Sequence, residues 1–326
     1  MTEPDKYRKI AVSKESLFRC FTLSLSSVLL FCTGSLVPSI GIAAYLFSPT
    51  PLALLGAREG KKWMIVGLAC ASIFLFFCFG SLFFFYFFLG QGLLSFGLAL
   101  PLGRLEKGSE NLTFCTTVSV ISKTLLIAVL VLSTGYNPFV MDPNSLRTLL
   151  SQMYSGMLAQ GSSEAALFGE TVEQMVNLFP YMAPSLILSY SMIDSFFNYK
   201  LCESLQRKKT CKFPPLPMFG EWRFPKSLLW ALLFAFALPL VEETRNWPLG
   251  LMLEINLKIL VSIFLFLQGV SLVWWWLTNR RVHFLLRVFI LILLALPVFG
   301  MGIGMLGAAD IGLDFRTRTK NKRNID

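Results

Sequence analysis

Histidine is almost absent from this chain: His283 stands alone among 326 residues. Metal sites built on several histidines are excluded, and so is histidine-rich proton chemistry. Charge is scarce too. Only 15% of residues are charged, against about 25% in an ordinary soluble domain. The seven cysteines (Cys20, Cys32, Cys70, Cys78, Cys115, Cys202 and Cys211) form no CxxC pair, and most lie inside apolar runs. They read as small buried hydrophobes in a reducing or lipid setting, not as a disulfide framework. No Walker A or dinucleotide fingerprint occurs, since the glycine-rich GMGIGMLG stretch follows an apolar helical pattern rather than a strand. No nucleophile–base pair and no metal cluster is visible. The expectation is a protein that is not an enzyme and carries no cofactor.

What is present is apolar. Hydrophobic residues make up 55% of the chain, phenylalanine alone contributes 31, and the mean hydropathy is +0.63. A helix needs roughly 20 apolar residues to cross a bilayer. Backbone groups in lipid must pair within the segment, so such runs are helices. Runs fall at about 17–48, 63–101, 112–134, 175–199, 227–242, 248–278 and 283–313. The first two are too long for one span, and break at Gly34 to Pro38 and near Gly80. The predicted fold is an all-α, polytopic transmembrane bundle of nine or ten membrane segments, some short or re-entrant. A basic N-terminus (1–16) precedes one membrane domain (17–313), and a basic tail (314–326) follows it. No small-residue cleavage site follows a short apolar core, so a cleavable signal peptide is not expected.

The formal net charge of +10 suits either a nucleic-acid binder or a membrane topology signal. Its distribution decides. Basic residues cluster before the first run (Lys6, Arg8, Lys9, Lys14, Arg19), after the first hairpin (Arg58, Lys61, Lys62) and after the second (Arg104, Lys107). Further clusters lie in the 200–226 loop and at Arg280, Arg281 and Arg287. The alternate loops hold only Arg147 and Arg245. This positive-inside pattern places the N-terminus in the cytoplasm of a multi-pass bacterial inner-membrane protein. Nucleic acid is excluded as a partner. The lipid bilayer is the first partner, with anionic headgroups at the cytoplasmic basic loops, where each basic residue is worth about 1 kcal/mol. The tail adds Arg316, Arg318, Lys320, Lys322 and Arg323. If these are inside, Pro297 opens 283–313 into a hairpin and the count is ten; if outside, it is nine.

The outside segment 135–174 reads as two amphipathic helices. The first stripe runs Leu146, Leu149, Leu150, Met153, Tyr154, Met157, Leu158, and the second runs Phe168, Val172, Met175, Val176, Phe179. They are either interfacial packing or a lid over a cavity.

Ionisable groups inside spans are costly and prompt a functional hypothesis. Lys123 lies near mid-membrane. Glu254 and Lys258 share one helix face at i, i+4. Gln91, Asn256 and Gln268 are candidate hydrogen-bond partners, and the six together form the candidate polar substrate site. Asp194, near the cytoplasmic end of its span, is expected to be met by a loop cation or by snorkelling. Asp310 lies beside Gly307. The opposing reading is structural pairing. Gly300, Gly304, Ala308 and Gly312 recur every four residues and predict a helix-packing stripe.

Glu242-Glu243-Thr244-Arg245 is similar to the paired-Glu motif of intramembrane CAAX-processing proteases. The second arginine and the later histidines are missing, so that chemistry is excluded. Four other stretches resemble the YybS-like family of bacterial multi-spanning membrane proteins, whose function is not established. They are the Pro49-Thr50-Pro51 turn after the first hairpin, running to Arg58-Glu59-Gly60, then Trp222-Arg223-Phe224-Pro225, then Leu267-Gln268-Gly269, and finally Gly307 to Arg316 with Asp310 and Asp314. That family is grouped distantly with the S-components of energy-coupling-factor transporters, which bind vitamins or metal ions and dock on a shared ATPase. The resemblance implies a small-molecule ligand and a membrane-protein partner, by analogy of family alone. Ser24, Ser26 and Ser27 stand where the S-components carry an Ala-x-x-x-Ala docking stripe, and the spans exceed six, so coupling to that ATPase is not part of the expectation. Two functions remain: a small-molecule binding or transport protein, or a structural scaffold of the cell envelope.

Overall fold

The computed structural model describes residues 14–135, 163–206, 213–240 and 247–318, with single positions at 137, 139 and 148. Every element among them is helical. In chain order these are α1 (Lys14–Leu36), α2 (Pro38–Phe47), α3 (Pro49–Glu59), α4 (Lys61–Phe79) and α5 (Ser81–Phe85). A π-helix (Tyr86–Gly92) leads into α6 (Leu93–Ala99) and α7 (Gly108–Thr134). Then come α8 (Ser163–Leu205), α9 (Ser227–Ala237), α10 (Pro248–Asn279), α11 (Phe284–Leu294) and α12 (Pro297–Leu313).

Each predicted membrane segment corresponds to a helix or to part of one. Five are long and apolar enough to cross a bilayer: α1, α4, the Ser81–Ala99 stretch, α7 and α10. α11 and α12 qualify together but are bent by 106° at Leu296-Pro297, a broken span or a re-entrant loop; the predicted break at Pro297 is there. Pro297 cannot donate to the preceding turn, so the helix restarts there. The other two breaks also have local causes. Pro38 starts α2 immediately after α1 ends. Gly80 has φ of 89°, a backbone conformation glycine adopts without a Cβ penalty.

Two predictions are corrected. The Pro49–Pro51 stretch is not a turn but the first turn of α3, where proline needs no N–H. α3 is a short helix buried along most of its length, from Pro49 to Ala57. The second amphipathic stripe and the 175–199 span are not separate elements either. They lie on one helix, α8, which carries Pro180 and Pro184 internally. The Asn256 amide repairs that helix: Nδ2 donates to the Tyr181 carbonyl at 2.7 Å, and Oδ1 accepts the Ser185 N–H at 2.7 Å. These are the two groups an uninterrupted helix would pair. The first stripe, Leu146 to Leu158, lies outside the described residues.

Packing divides the chain into two compact units. The first comprises residues 1–137 and 190–216, the second residues 138–189 and 217–326. In the first, α1, α3 and α4 enclose Val28, Phe31, Leu52, Leu55, Leu68 and Leu75, with Phe87 from the π-helix. A second cluster joins Ala53, Leu94, Leu98 and Cys115 to Tyr199 and Phe213. In the second unit, Val261, Leu265 and Ile311 pack with residues of α9. The helices also turn large apolar side chains outward, among them Ile73, Phe77, Ile121 and Phe289, as segments solvated by lipid tails do. The six described cysteines are free; Cys211 lies outside the described residues.

Candidate functional site

In the first unit, α7 carries Ser119 and Lys123 one turn apart. Lys123 is the sixteenth residue of a 27-residue helix, so at about 1.5 Å per residue it lies near the midpoint. Its Nζ donates to the Asp194 carboxylate at 2.8 Å and to the Ser119 hydroxyl at 2.5 Å. The two charged side chains are 11% and 5% exposed. The Tyr190 ring lies 4.8 Å from the ammonium, close enough for a cation–π contact. Asn198, one turn beyond Asp194, donates to Asp194 Oδ1 at 2.9 Å and to the Leu46 carbonyl at 2.8 Å. It accepts from the Thr50 hydroxyl at 2.7 Å. One polar network thus joins α2, α3, α7 and α8, and its Thr50 end lies in the Pro49–Pro51 motif.

The π-helix borders the same region. Ser122, next to Lys123, donates to the carbonyls of Leu89 and Gly90. Gln91 is buried against Tyr45, and its Oε1 has no hydrogen-bond partner among the described residues. Ser191 Oγ, three positions before Asp194, is also buried and unpartnered. An unpaired buried polar atom costs about 1–3 kcal/mol. Single π-helical turns within α-helices occur frequently at functional sites.

Arg58 and Glu59 close the cytoplasm-facing end predicted for this unit. Arg58 donates to the Leu205 carbonyl at 2.9 Å. Glu59 accepts from Ser16 and from Arg19, each at 2.7 Å. The Ser16 hydrogen bond, with Arg19 beside it, holds the Glu59 carboxyl below its ordinary range.

The second unit holds a separate network. Arg316 is 2% exposed. Its guanidinium pairs with Asp310 at 3.1 Å and donates to the carbonyls of Gly220 and Trp222 and to Ser271 Oγ. Gln268 donates to Asp310 at 2.5 Å and accepts the Phe224 N–H at 3.0 Å. Arg223 pairs with Asp314 at 3.0 Å. The Trp222 backbone is thus held through its carbonyl by a buried arginine. Pro225 follows and starts the turn into α9, accepting the Leu228 N–H. Gly269 and Gly307 let α10 and α12 meet backbone to backbone: a Cβ at Gly307 would fall on the Leu265 carbonyl, and one at Gly269 on that of Ile303. Three of the four motif stretches thus converge in one place.

The predicted packing stripe is displaced. Gly300 and Gly304 have no neighbour within 4 Å, and Gly312 has only Leu229 at 3.8 Å. Ala308 does border the α10–α12 core. The contact is made by Gly307 because that position, not its neighbours four residues apart, faces the equally bare Gly269.

The six residues of the predicted substrate site are distributed between the units. Lys123 and Gln91 belong to the first, and Glu254, Asn256, Lys258 and Gln268 to the second. Lys258 does bond Glu254 at 2.6 Å, as i, i+4 spacing predicts. Its side chain is 44% exposed, and Glu254 Oε2 is buried without a partner. Gln268 lies about 21 Å along α10 from Glu254 and serves Asp310 instead. Asn256 serves the α8 backbone. Asp194 is met by Lys123, not by the loop cation or snorkelling that its position near the end of an apolar run suggests. The signal available was Ser191, Asp194, Ser195 and Asn198, polar positions on one helical face.

Comparison with known proteins identifies the family. A family model described as "Predicted membrane protein (DUF2232)" matches residues 25–311. The uncharacterized protein YybS of Bacillus subtilis is 23% identical over 297 residues, covering 87% of this chain and 92% of that protein. No solved structure matches. The chain belongs to the DUF2232 family of membrane proteins, to whose members the motifs at Pro49, Trp222, Gln268 and Asp310 first pointed.

Proposed function

We propose that the chain is a multi-pass protein of the bacterial cytoplasmic membrane that binds or transports a small polar solute at the Lys123–Asp194 cluster of its first unit. One observation carries this reading. A buried charge pair at the middle of an apolar helix lies beside a π-helix, and the surrounding Gln91 Oε1 and Ser191 Oγ have no partner. Buried ionisable groups in spans are expensive and are kept where they handle solutes or ions. The unpartnered Gln91 and Ser191 oxygens leave hydrogen-bonding capacity that a polar solute would fill. The basic clusters at Arg58, Arg104 and Arg280 support an N-terminus on the cytoplasmic side. The distant grouping of the family with S-components supports a solute of that kind, without naming it.

A scaffold reading fits the second unit better. There the Arg316 network ties chain segments to one another through backbone carbonyls. The test is to extract small molecules from the purified wild-type protein and from Lys123→Met/Asp194→Leu, and compare them by mass spectrometry. A compound retained by the wild type and lost from a folded variant supports the solute site. Identical extracts refute it.

A further inference from the structure

The turn between α10 and α11 combines features that the solute reading does not use. α10 carries Trp274-Trp275-Trp276 just before its end at Asn279, and the chain reverses through Arg280 and Arg281, with Arg281 at a φ of 53°. The Arg280 guanidinium lies 5.1 Å from the Trp276 ring. The Arg287 guanidinium lies 5.0 Å from Trp274 and 5.9 Å from Phe284. It is steadied by donating to Thr278 Oγ1 at 2.7 Å, and its Nε is buried without a partner. Arg280 and Arg281 are exposed. The sequence holds no acidic residue between Glu254 and Asp310. Glu221, in the short 3₁₀ turn (Phe219–Glu221) beside Trp274, forms no ion pair with these arginines among the described residues. The adjoining α11 has no buried residue and exposes Phe284, Leu285, Phe289 and Ile292.

We infer that this turn binds the phosphate of an anionic phospholipid, of the phosphatidylglycerol type, through Arg280, Arg281 and Arg287. Planar guanidiniums suit a phosphate diester because each offers a fork of donors. Aromatic rings hold two of the three forks in place before the lipid arrives, which lowers the ordering cost of binding. Tryptophan marks the depth of the headgroups, and the bare face of α11 receives the acyl chains. A free phosphate would gain the charge contacts without the apolar ones, so the diacyl lipid is the ligand. This differs from the general attraction of a basic loop, which depends on charge count and not on guanidinium geometry.

The test uses the full-length protein in detergent, titrated with phosphatidylglycerol or phosphatidylcholine and followed by native mass spectrometry. The wild type should take up a first phosphatidylglycerol in preference to phosphatidylcholine. Arg280→Gln/Arg287→Gln should weaken that first binding about 150-fold, from about 1.5 kcal/mol for each charge-assisted hydrogen bond lost. Arg280→Lys/Arg287→Lys, which keeps both charges but not the guanidinium forks, should lose most of the preference too. Arg104→Gln/Lys107→Gln, on an exposed loop of the first unit, should leave it intact. Inorganic phosphate at millimolar concentration should not displace the lipid. The inference is overturned if the wild type shows no preference, if the lysine variant binds as the wild type does, if the Arg104/Lys107 variant loses the same binding, or if inorganic phosphate competes.

Discussion

Breaking the Lys123–Asp194 pair from one side and then from both separates a structural bond from a solute site. The pair is 2.8 Å long between side chains 11% and 5% exposed. Lys123→Met leaves a carboxylate in a water-poor interior with only Asn198 to stabilise it. Asp194→Leu leaves an ammonium with Ser119 and the Tyr190 ring. Removing one member of a buried pair costs about 3–5 kcal/mol, and the residual hydrogen bonds recover about 1 kcal/mol. Each single variant should therefore lose about 2–4 kcal/mol. Lys123→Met/Asp194→Leu removes both charges and should lie within about 2 kcal/mol of the wild type, the remaining deficit reflecting the lost bonds to Ser119 and Asn198. The double-mutant cycle should then return a coupling of about 2–6 kcal/mol in favour of the pair. Thermal unfolding in detergent, compared across the four proteins under one protocol, reads this out. Additive single effects would refute the reasoning, because they would mean the two charges do not sense each other.

Arg316→Met should cost about 3–5 kcal/mol, since it strands Asp310 and frees the Gly220 and Trp222 carbonyls; unfolding in detergent checks it, and a neutral change would mean the network is not bearing on stability. Gly307→Ala should destabilise by about 1–3 kcal/mol or more, because its methyl meets a backbone carbonyl that cannot yield. Gly304→Ala, with open space around it, should be neutral or slightly stabilising, and equal effects at the two sites would contradict the helix contact. Glu59 has a folded-state carboxyl held below its unfolded value. It therefore stabilises the protein above about pH 4.3, and that contribution is lost as pH falls through the lower, folded value. Melting temperature against pH should fall more steeply on the acid side for the wild type than for Glu59→Gln; parallel curves would count against the Ser16–Glu59–Arg19 bonds.

The helices were legible because lipid removes alternatives: an apolar run must be a helix, and its length and its glycine or proline breaks give the segment boundaries. Gly80 and Pro297 marked real turns for that reason. Pro49 and Pro51 misled because the same residue type also begins helices, and only burial distinguishes a first helical turn from an exposed elbow. The continuity of the second stripe with the 175–199 run, across Pro180 and Pro184, was hidden for a different reason. A helix carries internal prolines when a distant side chain supplies the missing bonds, here Asn256, and no local pattern reveals that. The charged residues were found individually because charge inside an apolar run is conspicuous. Their partners were not, since Lys123 and Asp194 are 71 positions apart. Family motifs fared better: Trp222, Gln268, Asp310 and Arg316 were distinguishable before their shared network was visible.

The central claim is that the buried Lys123–Asp194 cluster binds a solute, which must reach it from one side of the membrane. Accessibility of Ser191 tests it most directly. In a cysteine-free background, Ser191→Cys should react with a charged, membrane-impermeant thiol reagent applied to intact membranes from one side. Ile121→Cys, close to the depth of Lys123 but on the outward face of α7, should not. Absence of reaction at Ser191→Cys from either side, with the protein folded, would contradict the account and leave the charge pair as a structural tie.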